Sequence, residues 1–458
     1  MMIGERYRRN LLGAIGGLGV LGWTLVFPFY GPLAFSLLGE QAAWGTHAFV
    51  FGLALGYVLC AWQGRNTVIP ATLSSVMSVG LVTASLLSPW ALVTALLMMF
   101  SGAATVGPTL AWTNYLADTK KRVFPFIAGV VGANLLCYVA TIAAGSPAWS
   151  YALVGLTAVL FITASVALDR EATGTTRAEA LPWPFLWPLL LFILVSSYVG
   201  GLLYGAIIPA VEGWAGLGWL SFWPYIMAFI IAGFLASRSY ELLPAVTLTT
   251  YGLAFLPLVL LESAMVTHHW ITSFIGVTVG AAFADAFIWL SLVYLASRGH
   301  RRVIPAGLAL NVFVIWTVSA LSDLTILSSP ERMPMASLFS AGLLFVLIPV
   351  IITRLAPSRE ADREWSPDTL DVLKQVSRPD VLDDLTDAEK RVCELLLVGK
   401  TNRAIGEDLF ISINTVKFHV RNILRKSGCA NRKVLIDRLL PDGFDATPVS
   451  LPLKSLDE

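Results

Sequence analysis

A chain of 458 residues that is 56% hydrophobic and only 13% charged falls well short of the roughly 25% charged residues of a soluble domain. That composition, with a mean hydropathy of +0.72, excludes an ordinary soluble enzyme or binding module and is that of a membrane protein. The formal net charge of +1 hides an uneven distribution: residues 385–440 hold 11 Lys/Arg against 6 Asp/Glu, whereas residues 356–384 hold 4 against 8. A near-neutral total therefore does not argue against nucleic acid.

In chain order, Arg6, Arg8 and Arg9 precede an apolar run that imitates a secretory signal. The run continues without a small-residue cleavage site, so an uncleaved first span is expected. Twelve apolar stretches long enough to cross a bilayer, at roughly 20 residues each, centre on 11–30, 45–63, 68–88, 90–113, 123–144, 148–168, 186–208, 217–236, 243–265, 270–295, 302–322 and 335–355. Counting Lys and Arg between them tests the assignment. Arg6, Arg8, Arg9, Arg65, Lys120, Lys121, Arg122, Arg170, Arg177, Arg238, Arg298, Arg301 and Arg302 fall on one side, against Arg332 alone on the other. This predicts a multi-pass protein of the inner (cytoplasmic) membrane with both termini in the cytoplasm. Gly17, Gly19 and Gly22 match a Gly-x-Gly-x-x-Gly pattern, but inside a span and without a preceding strand. Close helix packing through Gly13, Gly17 and their neighbours accounts for them better than a dinucleotide loop.

The spans divide six plus six around the polar loop Asp169 to Ala180. The loop after the second span reads Ala61-Trp62-Gln63-Gly64-Arg65-Asn66, and that after the eighth reads Gly233-Phe234-Leu235-Ala236-Ser237-Arg238. Over about 345 residues this arrangement resembles the major facilitator superfamily, through topology more than motif. Each loop keeps an Arg but lacks the Asp of the superfamily's Gly-x-x-x-Asp-Arg-like marker, which the resemblance connects with switching between inward- and outward-open states. Asp285 is the only acid placed well inside a span, and an ionisable residue there is costly and usually functional; a structural hydrogen bond to a neighbouring helix is the alternative. Asp285, Trp112, Asn134, Tyr204 and Trp289 are candidates to line a cavity for an apolar or aromatic small molecule, with helix packing or an interfacial aromatic belt as the competing reading. Trp23, Asn114, Tyr198 and Asn311 belong to the same weaker set.

Residues 356–384 form a charged linker broken by Pro357, Pro367 and Pro379. If unstructured, its 29 residues reach roughly 30 Å, so DNA would be bound only where it approaches the membrane. From Leu385 to Leu440 the pattern changes. Thr386 and Glu389 form a capping box, opening a helix with Val392, Leu395 and Leu396 inward that stops at Gly399. Thr401 caps a second, with Ala404, Ile405 and Leu409 inward. After a turn at Phe410-Ile411, Ser412 caps a third that ends before Gly428. On that third helix Ile413, Val416, Val420, Ile423 and Leu424 share one side, while Asn414, Lys417, Phe418, Arg421 and Arg425 share the other. Four Lys/Arg and no acid lie between Ser412 and Gly428. The spacing predicts a helix-turn-helix presenting a basic face to the major groove; an ordinary solvated face is the bland alternative.

Leu385-Thr386, Glu389, Gly399, Thr401-Asn402, Ala404-Ile405, Leu409, Ile411-Ser412, Thr415-Val416-Lys417, His419, Asn422-Ile423, Lys426, Gly428 and Arg432 stand at fixed spacing without a gap. On these residues the segment resembles the DNA-binding domain of the LuxR family of bacterial regulators. The resemblance implies a four-helix module whose third helix enters the major groove, with Lys417, Phe418 and Arg421 facing bases, and Asn402, Thr415 and neighbouring basic residues on the backbone; Asn414, Arg425 and Arg432 complete the candidate contacts. The fourth helix, Asn431 to Leu439, often pairs two copies in that family, although Ala388, Ala404, Ser427 and Cys429 depart from its usual residues.

The fold class expected is all-α: twelve transmembrane helices over residues 1–355, the linker 356–384, a small cytoplasmic four-helix domain over 385–440, and a loose tail at 441–458. The four cysteines, Cys60, Cys137, Cys393 and Cys429, have no metal spacing and read as packing residues. Without a nucleophile elbow, Walker loop or zinc signature, no enzyme activity, cofactor or metal is expected. The partners expected are double-stranded DNA, the lipid bilayer, an unidentified small-molecule effector, a second copy of the chain on DNA, and RNA polymerase. Together these describe a membrane-anchored one-component transcription regulator. The alternatives are a small-molecule transporter carrying an autoregulatory DNA-binding domain, and a terminal module that docks protein.

Overall fold

A computed structural model describes residues 2–29, 31–63, 69–119, 122–171, 183–207, 222–259, 266–323, 385–397, 399–409 and 413–439. The chain divides into two compact units, Met1–Ala356 and Pro357–Glu458, and every regular element among the described residues is helical.

In the first unit α1 (Met2–Val26) is followed by the short α2 (Pro32–Leu38) and then by α3 (Ala42–Gln63), α4 (Ala71–Leu86), α5 (Ala91–Ala117), α6 (Val123–Ala143) and α7 (Pro147–Glu171). After the expected polar loop come α8 (Trp183–Leu202), extended by a π turn at Leu203–Ile207, and α9 (Trp223–Arg238), α10 (Leu243–Val259), α11 (Val266–Ser297) and α12 (Val303–Asp323). Eleven of the twelve expected apolar stretches therefore coincide with helices. Seven helical segments among the described residues are long and apolar enough to cross a membrane, and four more are apolar but shorter. The stretch 335–355, the linker and Arg65, Lys120, Lys121, Arg177 and Arg332 lie outside the described residues.

The pairing of these helices repeats. In the first half α1 packs on α6, α3 on α5 and α4 on α5; in the second half α8 packs on α12, α9 on α11 and α10 on α11. The halves meet where α3 packs on α12 and α6 on α9, and among the described helices the second half repeats the pairing of the first.

Small residues make the close contacts. A Cβ added at Gly52 would stand 1.8 Å from the Met99 carbonyl oxygen, and one at Gly102 would stand 2.0 Å from that of Phe49, so α3 and α5 touch backbone to backbone. Gly17 meets Gly129 in the same way between α1 and α6, which is the helix-packing role expected of the Gly-rich run. Many hydroxyls inside the bundle are satisfied locally or across helices. Thr105, Thr109 and Thr113 each donate to the carbonyl four residues earlier. Trp23 Nε1 donates to Ser78 Oγ at 3.3 Å, and Ser78 lies 2.9 Å from Ser101 Oγ.

One end of the bundle is basic and carries long-range polar contacts. Asp169 at the end of α7 accepts the Ala71 and Thr72 backbone N–H groups at 3.0 and 2.8 Å, placing a carboxylate where the start of α4 has unpaired donors. Arg301, just before α12, pairs with Asp118 at the end of α5 and donates to Asn114 Oδ1 at 3.3 Å. That contact joins the two halves.

The second unit contains α13 (Asp387–Leu397), α14 (Asn402–Asp408), α15 (Ile413–Lys426) and α16 (Arg432–Leu439). Its core gathers Val392, Leu395, Leu396, Ile405, Val416, Ile423, Leu435 and Leu439, all buried, with Leu409, Val420 and Leu424 packed against them. The local signals act as their chemistry requires. Thr386 N–H donates to Glu389 Oε2 at 2.9 Å, and Glu389 N–H points back to Thr386 Oγ1 at 3.4 Å. Thr401 Oγ1 accepts the Ala404 N–H at 3.2 Å. Gly399 and Gly428 adopt φ of 84° and 65°, the left-handed region that ends a helix without the penalty a Cβ brings. Ser412 and the Phe410-Ile411 turn lie outside the described residues.

Candidate functional site

The first candidate site is the outer face of α15. Val416 and Ile423 are fully buried against α13 and α14, which fixes the rotation of the helix. Lys417, Arg421 and Arg425 are consequently exposed, and the Phe418 ring is 59% exposed beside the His419 ring. Asn414 sits in the first turn of α15. Thr415 and Asn402, the latter first in α14, are half-buried. The structure thus brings Lys417, Phe418, Arg421 and Arg425 onto one solvent-facing surface. Such a surface offers cationic donors for phosphates and base edges, and an aromatic ring for apolar contact.

Arg432 has a different setting. Its guanidinium donates to the Lys400 and Leu396 carbonyls at 2.6 and 3.0 Å, closing the C-terminal end of α13. Burial lowers its pKa from the usual value. The sequence placed it among DNA contacts, and two of its donors here serve the module's own backbone. Lys426, at the end of α15, reaches Glu389 Oε2 at 2.6 Å. The Lys426 ammonium, and after it the Thr386 backbone N–H, hold the Glu389 carboxyl down at about 2. Sequence reasoning found Glu389 as a cap but missed this second partner, because 37 residues separate the pair. Cys393 and Cys429 are buried, as are Cys60 and Cys137 in the first unit, and burial pushes the Cys393 thiol up to about 12.

The second candidate site is a cavity of about 1420 Å³ inside the first unit. It runs from Phe35 and Trp44, at the end opposite the Arg301–Asp118 contact, to Tyr57 and Thr109, and it is bounded by both halves of the bundle. Asp285, Asn134, Tyr204 and Trp289 all line it. Trp112 does not: it is fully buried, donates its indole N–H to the Gly13 carbonyl at 2.8 Å and wedges α5 against α1. The reason is the glycine run of α1, which leaves space that the Trp112 ring fills at Gly16 and Gly17. Trp23 is likewise buried, stacked on Phe161, whereas Asn311 lines the cavity and accepts from Ser197 Oγ at 2.7 Å.

Asp285 accepts a hydrogen bond from the Tyr225 hydroxyl at 2.8 Å. Tyr225, Phe229 and Phe126, which line the same cavity, were missed from sequence, where they read as ordinary apolar span residues. The usable signal was the repeat itself, which sets α9, the helix carrying Tyr225 and Phe229, against α11, the helix carrying Asp285. No cluster of three or more His, Cys, Asp or Glu suited to a metal ion occurs among the described residues.

With both sites in view, the second unit is a LuxR-type helix-turn-helix domain, and the first is a helical bundle with several segments long and apolar enough to cross a membrane. The profile of the family described as bacterial regulatory proteins, luxR family, matches residues 383–439. Spore germination protein GerE of Bacillus subtilis is 41% identical over 59 residues, which is 13% of this chain and 80% of that protein. Through this domain the chain belongs to the LuxR family of bacterial regulatory proteins. Transcriptional regulatory protein LiaR of Bacillus subtilis is 48% identical over 50 residues, 11% of this chain and 24% of its own. A nitrate/nitrite response regulator protein homolog of Haemophilus influenzae is 41% identical over 61 residues, 13% and 29% of the two chains. The chain thus spans less than a third of the length of these two relatives. For the remainder, a bacterial homologue of the iron transporter ferroportin in an outward-facing state aligns with TM-score 0.51 and 16% identity, over 76% of this chain and 98% of that one. The same homologue soaked with iron aligns with TM-score 0.53 and 16% identity, over 77% and 99%. At that identity the likeness is one of fold.

Proposed function

We propose that this chain is a membrane-anchored one-component transcription regulator: its helical bundle senses a small molecule, and the bundle's state controls DNA binding by the LuxR-type domain. The observation that carries the reading is the exposed Lys417–Phe418–Arg421–Arg425 surface on a helix locked to the core by Val416 and Ile423, in one chain with a bundle that holds a cavity. In this reading both termini are cytoplasmic, the membrane is the inner one, and two copies of the domain meet on the operator and act on RNA polymerase. Lys417, Phe418 and Arg421 face bases; Asn402, Thr415, Asn414 and Arg425 hold the backbone. The effector must bind two states of the bundle unequally, because equal affinity shifts no equilibrium.

Genome-wide occupancy of the full-length protein in its own cells tests this, beside a Lys417→Ala/Arg421→Ala variant. Sharp peaks lost in the variant are expected. Their absence under all growth conditions, with the protein intact in the membrane, would overturn the reading. An unchanged profile in the variant would instead favour protein docking by the domain. The transporter-like fold and the cavity between the halves favour one second reading, a transporter that also regulates its own gene. Counterflow of a bound ligand across vesicles separates the two, since measurable flux rules out a pure sensor.

A further inference from the structure

The cavity has a chemical polarity that narrows its ligand. Asp285 is the one acidic residue in its lining among the described residues, and neither Lys nor Arg joins it there. The carboxylate stands at one end of a chain of rings. Tyr225 donates to it, Phe229 stacks on Tyr225 with centroids 5.5 Å apart, Phe126 lies 5.7 Å from Phe229, and Trp289 lies 6.4 Å from Phe126. Trp289 is four residues after Asp285 on α11, one turn along the same face. A carboxylate with aromatic rings about it can attract a cation in two ways, by charge and through the rings' quadrupoles.

Two further observations point to an occupant. Ser196 and Thr278 line the cavity, and their hydroxyls are buried beside it without a hydrogen-bond partner among the described residues. The Trp316 indole N–H, also in the lining, is unpartnered in the same way. Buried polar groups without partners cost free energy that a ligand's own polar atoms can offset. An indole N–H donates only, so the ligand presents it with an acceptor.

Resting on the sensing reading above, we propose that the cavity binds an organic cation, an aromatic ammonium compound that also carries a hydrogen-bond acceptor. The ammonium group sits on Asp285, its hydrocarbon body lies against Phe126, Phe229 and Trp289, and its acceptor reaches Trp316 or the two hydroxyls. A bare metal ion is a poorer match, since a divalent ion takes several hard ligands and the lining supplies one carboxylate.

The test is calorimetry on the full-length protein in lipid nanodiscs. The probes are 4-methoxyphenethylammonium and 4-methoxybenzyltrimethylammonium chlorides, with neutral 2-(4-methoxyphenyl)ethanol, anionic 3-(4-methoxyphenyl)propanoate and manganese(II) chloride as comparisons. The two cations are expected to bind while the alcohol, the carboxylate and the metal do not. Asp285→Asn should weaken cation binding by at least about tenfold, and Asp285→Glu should retain more of it than Asp285→Asn. Unchanged thermal unfolding of the Asn variant, whose amide oxygen still accepts from Tyr225, shows that the loss is not one of folding. Binding of the neutral or anionic skeleton as tightly as the ammonium, preference for manganese, insensitivity to Asp285→Asn, or no binding of either cation would each overturn the proposal. Binding is scored on the protein alone and regulation on DNA occupancy, so the two can fail separately. Cation binding with no effect on occupancy upholds the ligand class while refuting the regulatory reading. Ligand-free control of occupancy with no cation binding does the opposite.

Discussion

Lys426 and Glu389 are 2.6 Å apart, so a single carboxylate closes the start of α13 and holds the end of α15. The exposed basic helix is therefore braced by a residue whose sequence signature is that of a helix cap. Because the folded-state acidity of Glu389 is held at about 2 against an ordinary 4.5, its contribution is fully present above pH 4.5. It is lost as pH falls through 4.5 towards 2, where the carboxyl takes a proton in the folded state as well. Amide exchange in α13 and α15 of the full-length protein should lose protection across that window. Glu389→Ala should lower protection at neutral pH by about 1–2 kcal/mol. Glu389→Gln should cost less, as its amide oxygen still accepts the Thr386 N–H.

Arg421 and Arg432 look alike in sequence and should behave oppositely. Arg421 is exposed, so Arg421→Ala should leave the unfolding of the domain within about 0.5 kcal/mol of wild type. It should weaken operator binding by about 1–3 kcal/mol. Arg432→Ala strips two donors from the Leu396 and Lys400 carbonyls, and should destabilise the domain by about 1–3 kcal/mol with the salt dependence of DNA binding unchanged. Paired measurements of salt-dependent affinity and amide exchange on both variants check this; a flatter salt slope in Arg432→Ala would show that it neutralises a phosphate.

The backbone contact of α3 with α5 leaves no room for a methyl group at Gly52 or Gly102. Gly52→Ala and Gly102→Ala should each destabilise the bundle by about 1–3 kcal/mol, or more where the helices cannot part. Gly80→Ala, which meets nothing within 4 Å, should be neutral or slightly stabilising. Thermal unfolding of the purified full-length protein in one detergent ranks the three.

The terminal domain was largely legible because its information is local. Thr386, Glu389, Thr401, Gly399 and Gly428 act within one turn of their own positions, and the amphipathic period of α15 separates Val416 and Ile423 from Lys417 and Arg421 without reference to the rest of the chain. The bundle gave up its helix order for the same reason, since hydropathy is a local quantity. Its cavity was not readable in that way. A helix that faces lipid on one side and protein on the other is apolar all round, so no periodicity tells Trp112, which fills the space over Gly16 and Gly17, from Trp289, which lines the cavity. Tyr225 found its meaning only when the fold set α9 beside α11, and Lys426 only when α15 crossed α13.

Arg301 and Asp118 supply the last prediction. They come from opposite halves of the bundle and meet at its basic end, with Asn114 as a second acceptor for Arg301. The cavity lies toward the other end. A pair in this position favours the arrangement in which the basic end is closed, and removing it should shift the population toward one in which that end parts. Arg301→Ala and Asp118→Ala should each increase modification of a cysteine introduced at Val293, whose carbonyl faces Arg122 at the same end. The exchange Arg301→Asp/Asp118→Arg should restore the wild-type rate more fully than either reversed charge alone, because only the exchange recreates an attraction. Equal labelling in all variants would mean that packing of α3 on α12 and α6 on α9 holds the halves together without help from the ion pair.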